Sequence, residues 1–187
     1  MKLLLAAAAI AVAGLPALAS PVIRQVIYNV DAASSCSAAA NGQADLRQGL
    51  GWCDTALSDP LMNQRAALLM DRGVVKVKLG NNAGALDDYD AAIALNAQLG
   101  DAYVSRAGVL VALKRYNEAR ADIAQGMALN ASNLHAAYYT RAVIEEESGD
   151  VRAAYRDYRQ ALALKPDFLP ASRELARFKL VNRTERL

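Results

Sequence analysis

The chain has 187 residues, of which 54% are hydrophobic, and this length and composition suit one folded domain and argue against disorder. Only 6% of the residues are aromatic and alanine is abundant, which favours closely packed helices over a β-sandwich. The formal net charge of +2 creates no field that attracts polyanions, so nucleic acid is not expected as a partner.

The first 19 residues have the pattern of an export signal. Lys2 gives a positive start, residues 3–15 form an uncharged apolar run, and Ala17-Leu18-Ala19 offers the small-x-small pattern that signal peptidase cleaves. The alternative is a membrane anchor, but the run is shorter than the roughly 20 residues that span a bilayer. We predict cleavage after Ala19 and a periplasmic or secreted protein without a stable membrane anchor.

Residues 20–60 contain two predicted segments. The β-branched stretch 21–30 predicts an extended arm, which together with a linker covers residues 20–43. Residues 44–60 predict an N-terminal capping helix that resembles the second half of a degenerate repeat, and Asp59-Pro60 ends it.

The chain has two cysteines, Cys36 and Cys53. An even number of cysteines in an oxidising compartment suggests a disulfide, and this bond would close a loop of about 17 residues, worth about 3 kcal/mol in the chain-entropy model. Two buried free thiols are the alternative. A metal site fits less well, because the spacing matches no zinc pattern and His135 is the only histidine.

Residues 66–168 carry an internal repeat. Ala85, Ala119 and Ala154 lie 34 and then 35 residues apart, and small and large residues recur at fixed distances from each. This is the period of a helix-turn-helix unit, whose two short helices bury their apolar faces by stacking on neighbouring units. The predicted hairpins are 66–98, 100–132 and 135–168, with helix pairs 66–79 and 83–95, 100–114 and 117–129, and 135–148 and 151–164.

The pattern resembles the tetratricopeptide repeat family, in particular its bacterial variant with an Arg-Gly or Arg-Ala step in the first helix. This resemblance implies an all-α, right-handed α-solenoid whose concave surface, lined by the first helices, holds an extended peptide or a helix of a partner protein. The chain departs from the family at two points. Of the prolines that usually follow the second helix only Pro166 is present, and the usual first-helix aromatic is replaced by Lys76, Leu110 and Glu145.

If the family geometry holds, the groove is lined by first-helix residues that do not form the Lys/Asn/Arg clamp some members use for a peptide carboxylate. The groove is apolar in the first two hairpins and has an acidic rim at 145–147, so we expect a hydrophobic partner segment with basic flanks. The alternative is that some of these residues belong to the core. The groove positions are Met70, Val74, Val77, Lys78, Asp101, Val104, Gly108, Val111, Tyr139, Val143, Glu146 and Glu147.

An arginine of each first helix precedes an aspartate of the second by 16 residues. We predict a structural Arg-Asp ladder, because every arginine comes with its own aspartate, and an exposed pair of this kind contributes only ~0–1 kcal/mol. The alternative is an arginine row that binds a partner's carboxylates. The pairs are Arg72 with Asp88, Arg106 with Asp122, and Arg141 with Asp157.

Residues 169–187 predict a C-terminal solvating helix and tail, with Leu175, Phe178 and Leu180 facing inward. A lone histidine at a helix start supplies neither a catalytic pair nor a set of metal ligands, so no enzyme, cofactor or metal is predicted. We therefore expect a protein-protein interaction scaffold. The alternative is a structural or assembly subunit that uses its convex face or its N-terminal arm.

Overall fold

The computed structural model describes residues 21–60 and 63–184, without the side chains of 21–27, 29 and 179–184. The described residues form α-helices joined by short loops, as predicted for the all-α class. None of these helices has the length and hydropathy of a membrane span. The predicted export signal lies outside the described residues. The helices are α1 (Pro21–Ala40), α2 (Leu46–Leu57), α3 (Arg65–Lys78), α4 (Asn82–Leu95), α5 (Gly100–Ala112), α6 (Tyr116–Ala128), α7 (Leu134–Glu147), α8 (Val151–Leu164) and α9 (Leu169–Thr184).

The three repeat hairpins are α3–α4, α5–α6 and α7–α8, each with a tight turn between its helices. The residue that reverses the chain has a positive φ in all three turns: 81° at Gly80, 60° at Lys114 and 87° at Gly149. Glycine takes this conformation without steric cost, whereas Lys114 adopts it as a non-glycine residue. After the two glycines, Asn81 and Asp150 cap α4 and α8 by accepting hydrogen bonds from backbone N–H groups.

The extended arm predicted for residues 21–30, within the arm-and-linker segment 20–43, is wrong, because residues 21–40 form α1. α1 packs along α2 as a further hairpin, so the predicted half-repeat is the second helix of a whole one. Ala32, Cys36 and Ala39 follow one another at spacings of 4 and 3 and are fully buried. This helical spacing buries one face of α1, and the packing outweighs the weak helix propensity of its β-branched residues.

The hairpins stack as an α-solenoid in which the first helices form the inner row. α1 contacts α3 and α5 contacts α7, whereas the second helices contact mainly the first helices on either side. Small residues allow the two helices of one hairpin to approach each other closely. A Cβ atom on Gly73 would lie 2.6 Å from the Tyr89 ring, and one on Gly126 would lie 2.5 Å from Val104 Cγ2.

α9 covers the end of the last hairpin. Phe178 places its ring 5.7 Å from that of Tyr155 and 6.0 Å from that of Tyr158, measured between centroids. Leu175 packs on the same cluster, as the amphipathic pattern predicted. The side chain of Leu180 lies outside the described residues.

Candidate functional site

Each ladder arginine binds its own aspartate through two hydrogen bonds. In the middle hairpin, Arg106 Nε and Nη2 each donate to Asp122, at 2.7 Å. Arg72 and Arg141 make the same bidentate contact, with donor-acceptor distances of 2.6–3.0 Å. The hydrogen bond to Asp122 raises the pKa of the Arg106 guanidinium. A planar guanidinium matches a carboxylate in this way, so the pairs fix how the two helices of a hairpin face each other.

The Arg-Asp pairs are more buried than the exposed pairs predicted from the sequence. The side chains of Asp88 and Asp122 are only 4% and 8% exposed, whereas Asp157 is 13% exposed and its partner Arg141 is 37% exposed. An unpaired carboxylate at the buried positions would lose its solvation, so breaking these pairs costs more than breaking a surface pair.

Two of the ladder arginines also join neighbouring hairpins. Arg72 Nη1 donates to Asp54 at 2.7 Å, and Arg106 Nη1 donates to Asp90 at 2.6 Å. Arg141 Nη1 instead lies 3.7 Å from the sulfur of Met127. The residue that corresponds to Asp90 in the next repeat is Ala124, so the sequence leaves the third arginine without a carboxylate from the preceding hairpin.

Nine of the twelve predicted groove residues occupy three equivalent positions on the inner helices, spaced i, i+4 and i+7, which places them on one helix face. In chain order the three sets are Met70, Val104 and Tyr139; Val74, Gly108 and Val143; and Val77, Val111 and Glu146.

Several of these residues are used within the protein. Val104 is 2% exposed and packs against Gly126, so its predicted place in the groove is wrong and it belongs to the core. Asp101 accepts hydrogen bonds from the Ser132 hydroxyl and the Asn133 backbone N–H and thereby joins two hairpins. Lys78 donates to the carbonyl of Ala40 at 2.6 Å.

In the third hairpin, residues that follow α7 in the chain cover the inner helix face. The Tyr139 ring lies 5.6 Å from that of Tyr158 and 5.4 Å from that of Phe168. Glu146 accepts hydrogen bonds from the Tyr158 hydroxyl and from Arg177 of α9. Burial, together with the bond to Glu146, raises the pKa of the Tyr158 hydroxyl. The acidic rim is therefore partly neutralised by the chain's own arginine.

The part of the face that stays available is apolar and lies on α3 and α5. Met70, Val74 and Val111 are half-buried, and Val77 is 36% exposed. Gly108 is exposed, and a Cβ atom on it would meet nothing within 4 Å. Val143 of α7 is also half-buried, whereas the exposed Glu147 is hydrogen-bonded by Tyr116. We call Met70, Val74, Val77, Gly108 and Val111 the inner apolar face.

The sulfur atoms of Cys36 and Cys53 lie 2.10 Å apart, the distance of a disulfide bond. Both residues are fully buried between α1 and α2. Cys53 of the N-terminal hairpin corresponds to Tyr89 of the α3–α4 hairpin, because the two residues begin similar stretches of sequence. The sulfur pair therefore lies where the other hairpins pack a large side chain against a small one.

His135 lies in the first turn of α7, with its ring 4.9 Å from that of Phe168. Burial lowers its pKa. No other titratable side chain that the structure describes forms a hydrogen bond with it, so the arrangement offers a packing contact and no acid-base pair.

Comparison with known proteins identifies the repeat. A family model described as tetratricopeptide repeat matches residues 135–168. The solved first tetratricopeptide domain of Spaghetti (RPAP3), bound to the HSP90 peptide SRMEEVD, is 25% identical; the match covers 64% of this chain and 94% of that one, with a TM-score of 0.55. The Arabidopsis OM64 tetratricopeptide domain is 26% identical over 60% of this chain and 92% of its own, with a TM-score of 0.54.

A tetratricopeptide repeat protein from Parabacteroides merdae is similar over a longer stretch, and this likeness shows the fold. It is 20% identical, with a TM-score of 0.65, over 90% of this chain and 62% of that one. No curated protein matches in sequence. The matched repeat, the helical hairpins and these neighbours agree: residues 135–168 form a tetratricopeptide repeat, and the described residues have the architecture of an α-solenoid of such hairpins.

Proposed function

We propose that the protein is a non-catalytic interaction scaffold of the periplasm or cell envelope that binds an apolar segment of a partner protein on its inner apolar face. The observation that carries this proposal is the exposure of Val77 on α3 and Gly108 on α5, on the inner side of the stack beside half-buried Met70, Val74 and Val111. When a partner covers apolar side chains that are exposed on a concave surface, their removal from water lowers the free energy of the complex.

The structural neighbours support a polypeptide as the ligand. The Spaghetti (RPAP3) domain carries a bound HSP90 peptide. The ladder does not compete for this role, because each arginine already binds an aspartate of its own hairpin. The partner is therefore expected to be recognised by its apolar side chains more than by its carboxylates.

The test is a pair of matched glycine substitutions. Gly108→Leu places a large side chain on the inner apolar face, and Gly51→Leu does the same on α2, where a Cβ atom also has nothing within 4 Å. Dodecapeptides selected from a random library against the wild-type protein serve as probes. We expect apolar peptides whose affinity falls by about tenfold or more with Gly108→Leu and does not change with Gly51→Leu. Equal binding by the two variants would remove the inner apolar face as the binding site.

The export signal and the cysteine pair support the proposed location. Residues 1–19 have the pattern of a cleaved signal, and a disulfide persists in the oxidising periplasm. We expect the mature protein to begin at Ser20 and to contain no free thiol. Mass spectrometry of the purified protein, with thiol titration after unfolding without reductant, checks both. A retained Met1 or two free thiols would contradict the location.

The alternative function is a structural or assembly subunit that uses the convex face. Because residues 21–40 are helical and packed, an extended arm that adds a strand to another protein is no longer part of this alternative. The convex face itself has a specific charge pattern.

A further inference from the structure

The second helices of the three repeats present equivalent exposed residues on the outer side of the solenoid. On α8 the buried residues Ala154, Tyr158 and Ala161 define the inward face. Arg152, Arg156 and Arg159 lie on the opposite face, at i, i+4 and i+7, and all three are exposed. We call the equivalent positions on α4, α6 and α8 the outer rows.

The charge of the outer rows changes sign along the stack. The α4 row is Ala83, Asp87 and Asp90, the α6 row is Asn117, Ala121 and Ala124, and the α8 row is Arg152, Arg156 and Arg159. The sequence as a whole follows the same trend. Residues 1–150 contain 12 basic and 15 acidic residues, whereas residues 151–187 contain nine basic and four acidic residues.

The arginines of the α8 row have no partner among the residues that the structure describes. None of them takes part in an ion pair or a side-chain hydrogen bond with the residues that the structure describes, whereas exposed Arg115 and half-exposed Arg120 both do. Like charges four residues apart on a helix destabilise it by about 0.2–0.5 kcal/mol per pair. Repulsion between the arginines of this row thus destabilises α8. A negatively charged surface outside the chain would offset that repulsion.

The α4 row of a second copy has the matching pattern. Asp87 and Asp90 are three residues apart, like Arg156 and Arg159, and they hold the equivalent positions of the repeat. Asp87 is exposed, and the side chain of Asp90 is 61% exposed even though one of its oxygens binds Arg106. A shallow depression of about 260 Å³ beside Arg156 and Arg159 can receive a carboxylate side chain.

Two-fold symmetry brings these rows together. When two copies meet by their outer sides around an axis that runs along α6, the α6 rows face each other, and α4 of each copy faces α8 of the other. Equivalent positions then lie at the same level along the helix axes. Asp87 therefore meets Arg156 and Asp90 meets Arg159, and each contact occurs twice in the interface. The small α6 residues Ala121 and Ala124 allow the central helices to approach. An axis along the stack would instead oppose like charges.

We propose that the protein forms a symmetric dimer through its convex face, with the acidic α4 row of each copy on the basic α8 row of the other. The proposal does not depend on the inner apolar face, which stays open in such a dimer. Complementary charge of this kind fixes register and partner choice, and it makes the association sensitive to salt.

The test is a charge swap followed by sedimentation equilibrium. Arg156→Glu and Asp87→Lys each place like charges across the interface, so each variant alone is expected to weaken dimerisation by about tenfold or more. A one-to-one mixture is expected to regain dimers, since each pair of opposed rows is again complementary. The wild-type dimer is expected to weaken as salt rises from about 50 mM to about 500 mM.

Matched controls carry the same charge changes elsewhere. Lys114→Glu lies in the α5–α6 turn and Asp31→Lys on α1, and both residues are exposed and outside the outer rows. Both variants are expected to dimerise like the wild type, and Arg156→Glu is expected to keep its binding of the selected peptides.

Three results would overturn the proposal. These are a wild-type protein that stays monomeric at low salt, a mixture that does not regain dimers, and controls that lose as much affinity as the variants. A monomer that binds phosphatidylglycerol vesicles, with the binding lost in Arg156→Glu, would also overturn it and assign the arginine row to a membrane surface.

Discussion

The N-terminal hairpin and the three repeat hairpins hold their two helices together by different chemistry. In α3–α4, α5–α6 and α7–α8 a bidentate Arg-Asp pair joins the two helices, and in the first two of these hairpins a glycine also contacts a larger side chain. In α1–α2 two sulfur atoms meet at bonding distance. In a solenoid each hairpin contacts only its neighbours, so one unit can replace its internal contact without disturbing the others.

The buried pair of the middle hairpin gives the largest expected effect. Arg106→Ala leaves Asp122 without its partner at 8% side-chain exposure, and we expect the free energy of unfolding to fall by about 3–5 kcal/mol in urea titrations. Arg115→Ala, which removes the exposed pair with Glu118, is the control and should leave the free energy of unfolding nearly unchanged, because solvent screens an exposed ion pair. If both variants lost the same small amount, the ladder would be a surface feature.

The sulfur pair gives the next effect, and it should be local. Replacing Cys36 and Cys53 by alanine is expected to cost about 3 kcal/mol, because the bond no longer restricts the unfolded chain. Hydrogen exchange should accelerate in residues 28–57 and stay unchanged in residues 100–164. A loss of protection spread evenly over all hairpins would show that the stack unfolds as one unit.

Restoring the missing contact of the third ladder arginine should raise stability slightly. Ala124→Asp places a carboxylate where Asp54 and Asp90 serve Arg72 and Arg106, and a gain of about 0.2–1 kcal/mol is expected for such an exposed pair. In the Arg141→Ala background the same substitution should give no gain, which a double-mutant cycle measures.

The smallest expected effect is a pH dependence of stability that comes from the third repeat hairpin. Burial lowers the pKa of His135, so the folded state favours the neutral ring. Stability from this group is complete above the unfolded pKa of about 6.5 and is lost as the pH falls below it. Thermal unfolding between about pH 7.5 and 5 should show this decline. His135→Phe should remove it, and an identical decline in that variant would assign the effect to other groups.

The sequence predicted those features of the fold that the repeat period determines. Helix boundaries agree with the structure to within about two residues in the repeat hairpins, because recurring small residues mark where helices touch. The pairing of Arg106 with Asp122 followed from the same period. Its burial did not, since exposure depends on how α5 and α6 are covered by neighbours.

Two predictions failed for reasons outside the period. Residues 21–30 lack the recurring pattern and are rich in β-branched residues, so local propensity suggested an extended arm. The spacing of Ala32, Cys36 and Ala39 was the signal that could have identified α1. Val104 shares its repeat position with Met70 but faces Gly126. Because Gly126 has no side chain, Val104 packs against it in the core.

The burial of the sulfur pair has a kinetic consequence. Neither Cys36 nor Cys53 has any exposed surface, so a thiol reductant reaches the sulfurs only when α1 separates from α2. When the helices close again faster than the reductant attacks, the rate of reduction is proportional to the equilibrium population of the open hairpin. The chain thus contains a chemical reporter of its own local opening, one that needs no added label.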